Sequence, residues 1–318
     1  MINAVIECAK FTELYDETLR RANSRLWLWR LDQIPSVING NKAFKLLPGL
    51  AEAQDRGFSG VASFGGAWSN HLHVLAAAGR LHNLKTLGFV RGDSDAPPSA
   101  MLVDAVSLGM SLHFLSRSDY RQRHDPGFLK QLQAKFPDYH WLPEGGSNLA
   151  GVRGCSVLGE ALSGMLEDGD IVALPCGTGG TMAGLISGLA AADGLDLRVV
   201  GYSALKGANF LDVEIRRWLV ELDSGATAWS LEHRFHGGGY GKCNGELSAF
   251  ILDFYRRHRI ALDPVYNAKM LWGIYRQLAA GEFDGRRIIA LHTGGVQGLR
   301  GYPALLADMT QVGFESLQ

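Results

Sequence analysis

An α/β protein with two open twisted sheets, each covered by helices on both faces, is what this sequence predicts. Three observations predict it. Short apolar runs such as Gly60–Phe64 and Asp170–Leu174 alternate with longer segments of helical period, the pattern of a parallel sheet overlaid by helices. The alternation occurs in two sets, one in each half of the chain. Glycine-rich joints, before Lys42 and around Gly145-Gly146, separate a smaller domain, 46–142, from a larger one made of 1–45 and 143–318.

Arg25–Leu31 is aromatic-rich and suits a strand. Lys42–Arg56 follows a turn signal and is helical. Gly60–Phe64 is a strand bounded by glycines, and Ser69–Leu81 a helix with apolar positions at Leu72, Val74, Leu75 and Ala78. Lys85–Val90, Ser111–Leu115 and Tyr139–Leu142 are strands, with helices at Ser99–Leu108 and Asp125–Phe136 between them. In the second half, Ser156–Leu166 is a helix and Asp170–Leu174 a strand. Thr181–Ala192 is apolar nearly all round, hence a buried helix. Leu197–Tyr202 and Arg287–Leu291 are strands; Asn209–Leu222, Gly245–His258 and Pro264–Ala280 are helices, the last with proline at its start.

Composition narrows the function. The chain is 47% hydrophobic and 20% charged, which is globular, and its net charge of -1 gives no basic footprint for nucleic acid. Cys8, Cys155, Cys176 and Cys243 show no metal-binding spacing, so they read as free thiols in a reducing compartment. Scattered charges exclude a signal peptide from Met1–Arg21. The longest run free of both charges and histidine, Ile171–Ala192, is interrupted by Pro175 and a glycine cluster, which argues against a membrane span. The expected setting is soluble and cytoplasmic, with no membrane partner.

Lys42 and four stretches carry candidate chemistry. Lys42 falls in the first turn of its helix, where the macrodipole disfavours a cation, so its amine is a candidate for use. Cys176-Gly177-Thr178-Gly179-Gly180-Thr181 follows a strand and opens the buried helix, a place where backbone N–H groups collect an anion. It lacks the lysine of a P-loop, and Met182 breaks a dinucleotide fingerprint. It therefore suits a single phosphate. Gly65-Gly66-Ala67-Trp68-Ser69-Asn70-His71 is a second strand-to-helix turn and fits a carboxylate. Helix capping explains Ser69 or Asn70 but not the whole run. His71 and His73 point to different sides and cannot share a metal; no metal site is expected. Asp263-Pro264-Val265-Tyr266-Asn267 and His292-Thr293-Gly294-Gly295 complete the set. All lie at strand ends or helix starts and can converge on one crevice. A usable lysine, a single-phosphate loop, a carboxylate nest and neutral polar groups together suggest pyridoxal 5'-phosphate (PLP) and an amino-acid substrate.

With these motifs in hand, the chain resembles the 1-aminocyclopropane-1-carboxylate deaminase and D-cysteine desulfhydrase family. The resemblance runs in order through Gly40-Asn41-Lys42, Gly65-Gly66 with Ser69-Asn70-His71, Pro143-Glu144-Gly145-Gly146-Ser147-Asn148, Thr178-Gly179-Gly180-Thr181, Tyr240-Gly241, Asp263-Pro264-Val265-Tyr266 and His292-Thr293-Gly294-Gly295. It implies the tryptophan synthase β-like architecture known as fold type II, with PLP in the cleft, and a homodimer. By position, Lys42 resembles the Schiff-base lysine, and Lys45 the family's second lysine, which does not bind cofactor. Asn70 resembles the residue bonded to the ring hydroxyl, and Ser69 a substrate-contacting serine active in proton transfer. Gly177, Thr178, Gly179, Gly180 and Thr181 resemble the phosphate cradle. Tyr266 and Tyr240 resemble active-site tyrosines, and His71 joins the substrate side. Asn267 and Thr293 stand near the pyridine nitrogen.

Ring-opening members have Glu and Leu where Asn267 and Thr293 stand, and desulfhydrase-like members have small hydroxyl residues. Thr293 agrees with the second group, and Asn267 with neither. The expected activity is therefore α,β-elimination on a β-substituted amino acid such as D-cysteine. Alternatives are a related lyase acting on L-cysteate, a hydroxy amino acid or 1-aminocyclopropane-1-carboxylate, or a catalytically silent PLP-binding protein. Departures from the family pattern are the short approach Asp32–Asn39, Phe44 in place of an arginine, and the poorly matched Phe11-Thr12-Glu13-Leu14.

Overall fold

The computed structural model describes residues 6, 8–34, 38–192, 194–224 and 227–315. Pro35, Ser36 and Val37 of the short approach to Lys42 lie outside the described residues. Ten strands are present among them: β1 (Lys10–Leu14), β2 (Arg25–Arg30), β3 (Gly60–Gly66), β4 (Lys85–Arg91), β5 (Met110–Leu115), β6 (Tyr139–Trp141), β7 (Ile171–Cys176), β8 (Arg198–Ser203), β9 (Ala228–Glu232) and β10 (Arg287–His292).

They form a six-stranded sheet in the order β1-β2-β10-β7-β8-β9 and a four-stranded sheet in the order β5-β4-β3-β6. Every pairing is parallel except that of β1 with β2. Every residue of β7 is buried, which is why Ile-Val-Ala-Leu-Pro-Cys reads as one continuous apolar run. The sequence reading missed β1 and β9, both edge strands. β1 is half-buried, and Phe11 stacks on Trp29 with ring centroids 5.6 Å apart. β9 has no fully buried residue.

Two compact units hold these sheets: Met1–Pro35 with Cys155–Gln318, and Ser36–Gly154. The second unit reaches further on both sides than the expected 46–142. It keeps the Asn41–Asp55 helix whole and includes the Leu149–Gly154 helix that packs on it. That packing is close. A Cβ at Gly154 would lie 2.2 Å from the Phe44 carbonyl oxygen, and one at Gly151 2.8 Å from that of Lys45. Pro48 sits inside the Asn41–Asp55 helix and cannot donate back to Phe44. The core of this unit is an aromatic stack, with Phe89 5.0 Å from Trp141 and 5.3 Å from Phe64. The larger unit packs the Gly245–His258 and Asn267–Ala279 helices on its sheet through Phe254, Leu271 and Ile274.

Each sheet reverses its strand order once. In the six-stranded sheet, β7 leads outward through β8 and β9, and β10 returns on the other side of β7. In the four-stranded sheet, β3 leads through β4 to β5, and β6 returns beside β3. Such reversals open crevices at the carboxyl ends of the strands, and the candidate loops lie there. Among the described residues no helix is long and apolar enough to cross a membrane, and no His/Cys/Asp/Glu group could hold a metal ion.

Candidate active site

The loop after β7 leads into the Gly180–Gly188 helix. Gly179 is the N-cap, with φ 77°, and no side chain caps the helix. Only glycine suits this position: the conformation is left-handed, and a Cβ would lie 2.7 Å from Ile215. Thr181 is buried and Thr178 exposed. The loop presents amides and hydroxyls but no charged side chain, a neutral donor set that fits a phosphate monoester. Tyr266 packs over it, since a Cβ at Gly177 would lie 3.2 Å from the Tyr266 ring. The Tyr266 hydroxyl donates to that of Tyr240 at 3.4 Å, and the rings meet edge to face.

Beside β7, the end of β10 carries a buried polar network. Asp263 is fully enclosed and accepts the backbone N–H groups of Val265, Tyr266 and Asn267, and the Asn267 side-chain amide. Burial pushes its carboxyl above the usual range, opposed by these hydrogen bonds and by His292. Asn267 Nδ2 also donates to the Gly294 carbonyl at 2.7 Å, while its Oδ1 accepts the Thr293 N–H at 2.8 Å and the Thr293 hydroxyl at 3.2 Å. This corrects one expectation. Asn267 is fully buried with donors and acceptor occupied by protein groups, so it orients Thr293 instead of meeting a ligand. His292 lies behind, with Nδ1 3.1 Å from Asp32 and Nε2 2.9 Å from the Ala261 carbonyl. Burial raises the Asp32 carboxyl, but His292 and Arg30 outweigh it and hold it below its ordinary value.

In the smaller unit, the loop after β3 ends on Ser69, which caps the Asn70–Leu81 helix by accepting the Leu72 N–H at 3.2 Å. His71 is buried, its Nε2 2.7 Å from Ser63 Oγ. The Ser63 hydroxyl donates to the Leu142 carbonyl at 2.9 Å, so His71 supplies the hydrogen through Nε2. Its Nδ1 is a buried acceptor with no hydrogen-bond partner. Burial, then the charges of Lys42 and Lys45, push the imidazole down to about 3. His71 is therefore neutral at working pH, and its Nδ1 cannot donate to a carboxylate.

Lys42 is the second residue of the Asn41–Asp55 helix, whose N-cap Gly40 has φ 74° and makes no side-chain cap. Lys42 is half-buried, whereas Lys45 is 2% exposed, with Nζ 3.4 Å from Ser147 Oγ. Lys42 is the more accessible amine of the two. Asn70 opens its helix on the same unit, half-buried. Sequence reasoning treated Asp263 as a helix cap. The helix begins only at Asn267, and the Asp263–Asn267 spacing of four was the signal for their pairing.

A phosphate-ready loop at a sheet reversal, with a lysine at an uncapped helix start, defines the class: a cofactor-dependent α/β enzyme of two parallel sheets. The chain belongs to the family described as pyridoxal-phosphate dependent enzyme, which matches residues 11–294. It is 27% identical over 295 residues to a bifunctional D-cysteine desulfhydrase/1-aminocyclopropane-1-carboxylate deaminase, mitochondrial, of Arabidopsis thaliana, covering 87% of this chain and 73% of that protein. A crystal structure of an ACC deaminase homologue superposes with TM-score 0.79 at 26% identity, covering 94% of this chain and 93% of the other. The processed threonine deaminase isoform 2 of Solanum lycopersicum shares the fold, with TM-score 0.67 at 16% identity over 96% and 83% of the two chains. The cofactor is pyridoxal phosphate, and the architecture is fold type II.

Proposed function

We propose that this enzyme catalyses α,β-elimination on a β-substituted amino acid, with D-cysteine as the leading candidate, giving pyruvate, ammonia and sulfide. The observation that carries this is the end of β10, where Thr293 and its partner Asn267 replace any acid that could serve a ring-opening reaction. The Arabidopsis relative is named for both activities.

When bound, pyridoxal phosphate supplies an aldehyde for the amino group and an electron sink for the bond broken at Cα. Lys42 would hold the cofactor through its amine, and its Nζ is the group placed to take the Cα proton. Gly177–Thr181 holds the phosphate through amides and the hydroxyls of Thr178 and Thr181. Asn70 would help hold the cofactor ring. Ser69 and the N–H groups at its helix start hold the substrate carboxylate, and Tyr240 and Tyr266 line the leaving-group side. Thr293, fixed by Asn267, would offer a neutral hydroxyl to the ring end of the cofactor. A homodimer in the cytoplasm is part of the same proposal and rests on the family resemblance.

The test is pyruvate release across D- and L-cysteine, β-chloroalanine, cysteate, serine and 1-aminocyclopropane-1-carboxylate. Turnover of D-cysteine and β-chloroalanine with none of the cyclopropane substrate is expected. Turnover of none by the yellow, loaded protein would make it a silent PLP-binding protein.

A further inference from the structure

Lys269 is a buried lysine, 1% exposed, in the first turn of the Asn267–Ala279 helix. A positive charge is unfavourable there both for its burial and for the helix field. Among the described residues no carboxylate lies within ion-pair distance of it. Its partners are two backbone carbonyls instead: Gly239 at 2.7 Å and Ala204 at 3.1 Å. Ala204 follows β8, and its N–H donates to the Cys176 carbonyl at 2.9 Å, directly before the phosphate loop. Gly239 belongs to Gly237-Gly238-Gly239-Tyr240-Gly241, in which every glycine has positive φ. Such a segment loses much conformational entropy on ordering. It has further ties: Tyr302 donates to the Gly241 carbonyl at 2.8 Å, His236 Nδ1 accepts the Gly238 N–H at 3.1 Å, and Lys242 N–H donates to Gly239 at 3.1 Å.

We propose that Lys269 is a positioning residue, a tethered cation whose ammonium pins the glycine segment to the end of β8 and so holds the Tyr240 hydroxyl against Tyr266. The geometry favours this over a core role. Among the described residues the ammonium bonds only the two segments it joins, and Gly237 leaves room for its stem, since a Cβ there would lie 3.3 Å from Lys269 Cε. Burial pushes Lys269 down to about 8, with Asp263 and then Cys243 opposing. The group is thus protonated at neutral pH. The anchoring stands on geometry alone. Its effect on catalysis rests on Tyr240 facing the amino acid, as proposed above.

Hydrogen exchange on the PLP-loaded protein separates the two. In Lys269→Met, exchange of the Gly238, Gly239 and Lys242 amides should rise about tenfold or more while β7 and β10 stay protected. In Lys269→Ala, ammonium or potassium chloride, but not sodium chloride, should restore slow exchange by filling the vacated carbonyl pair. The KM for the turned-over amino acid should rise about tenfold in Lys269→Met, with kcat reduced far less. Wild-type exchange in the segment overturns the anchoring, and so does a rise spread over the whole unit without ammonium rescue. Raised segment exchange with unchanged KM overturns the catalytic half and removes Tyr240 from the substrate site.

Discussion

The two sheets reverse at β7/β10 and at β3/β6, and the loops at the two reversals are built in opposite ways. At β7 the following helix starts on a glycine with no side-chain cap, the loop carries no charge, and its polar side chains are threonines. At β3 the following helix is capped by Ser69, and the buried His71 beneath it feels the charges of Lys42 and Lys45. The first reversal offers amides to an anion of fixed charge. The second sets a neutral imidazole within the field of two amines. In the proposed reading, the first reversal holds the cofactor and the second acts on substrate.

The comparison breaks most sharply at Lys42. Lys42→Ala should remove the yellow absorbance of the loaded enzyme and lower pyruvate release by about ten-thousand-fold. If Lys45→Ala did this instead, the amine would be misassigned. The neutrality of His71 comes next. Its folded value, about 3, lies below the ordinary 6.5, so the unfolded chain binds the proton first as pH falls. Stability should therefore be lost between about pH 6.5 and 3, by roughly 5 kcal/mol at most. His71→Leu should flatten that part of the denaturation profile; an unaltered slope would place the imidazole in water.

At the other reversal, Asn267→Asp would set a second carboxylate against Asp263. A loss of about 2–4 kcal/mol in chemical denaturation is expected, whereas a stable variant would mean that position 267 faces a cation or solvent. The smallest effect belongs to Thr181→Ala. One hydroxyl of several is removed, and apo-protein should bind PLP about tenfold more weakly without losing its fold. Unchanged affinity would take Thr181 out of the cradle.

Most of the parallel framework was legible because its strands are buried on both faces and announce themselves as apolar runs. β1 and β9 were not, because an edge strand exposes much of its side-chain surface and carries no such run. Within the proposed site, glycine spacing pointed to the loop before the buried helix, and the helix-start argument pointed to Lys42. The same argument applied equally to Lys269, yet its carbonyl partners come from segments far away in sequence and only folding brings them together. Asn267 illustrates a second kind of blindness. Its place beside Asp-Pro-Val-Tyr marks it as part of the site, but only the hydrogen bonds reveal that its amide is spent on Asp263, Gly294 and Thr293.

The contact between the Leu149–Gly154 helix and the turn bearing Lys42 and Lys45 sets a limit on redesign. Gly151 and Gly154 abut the carbonyls of Lys45 and Phe44 too closely for any side chain, and Pro48 leaves the Phe44 carbonyl without its usual helical donor. A saturation library at Gly151 or Gly154 should return glycine almost alone. On the proposed reading of the site, changes of substrate are better sought at Tyr240, Tyr266 and Thr293.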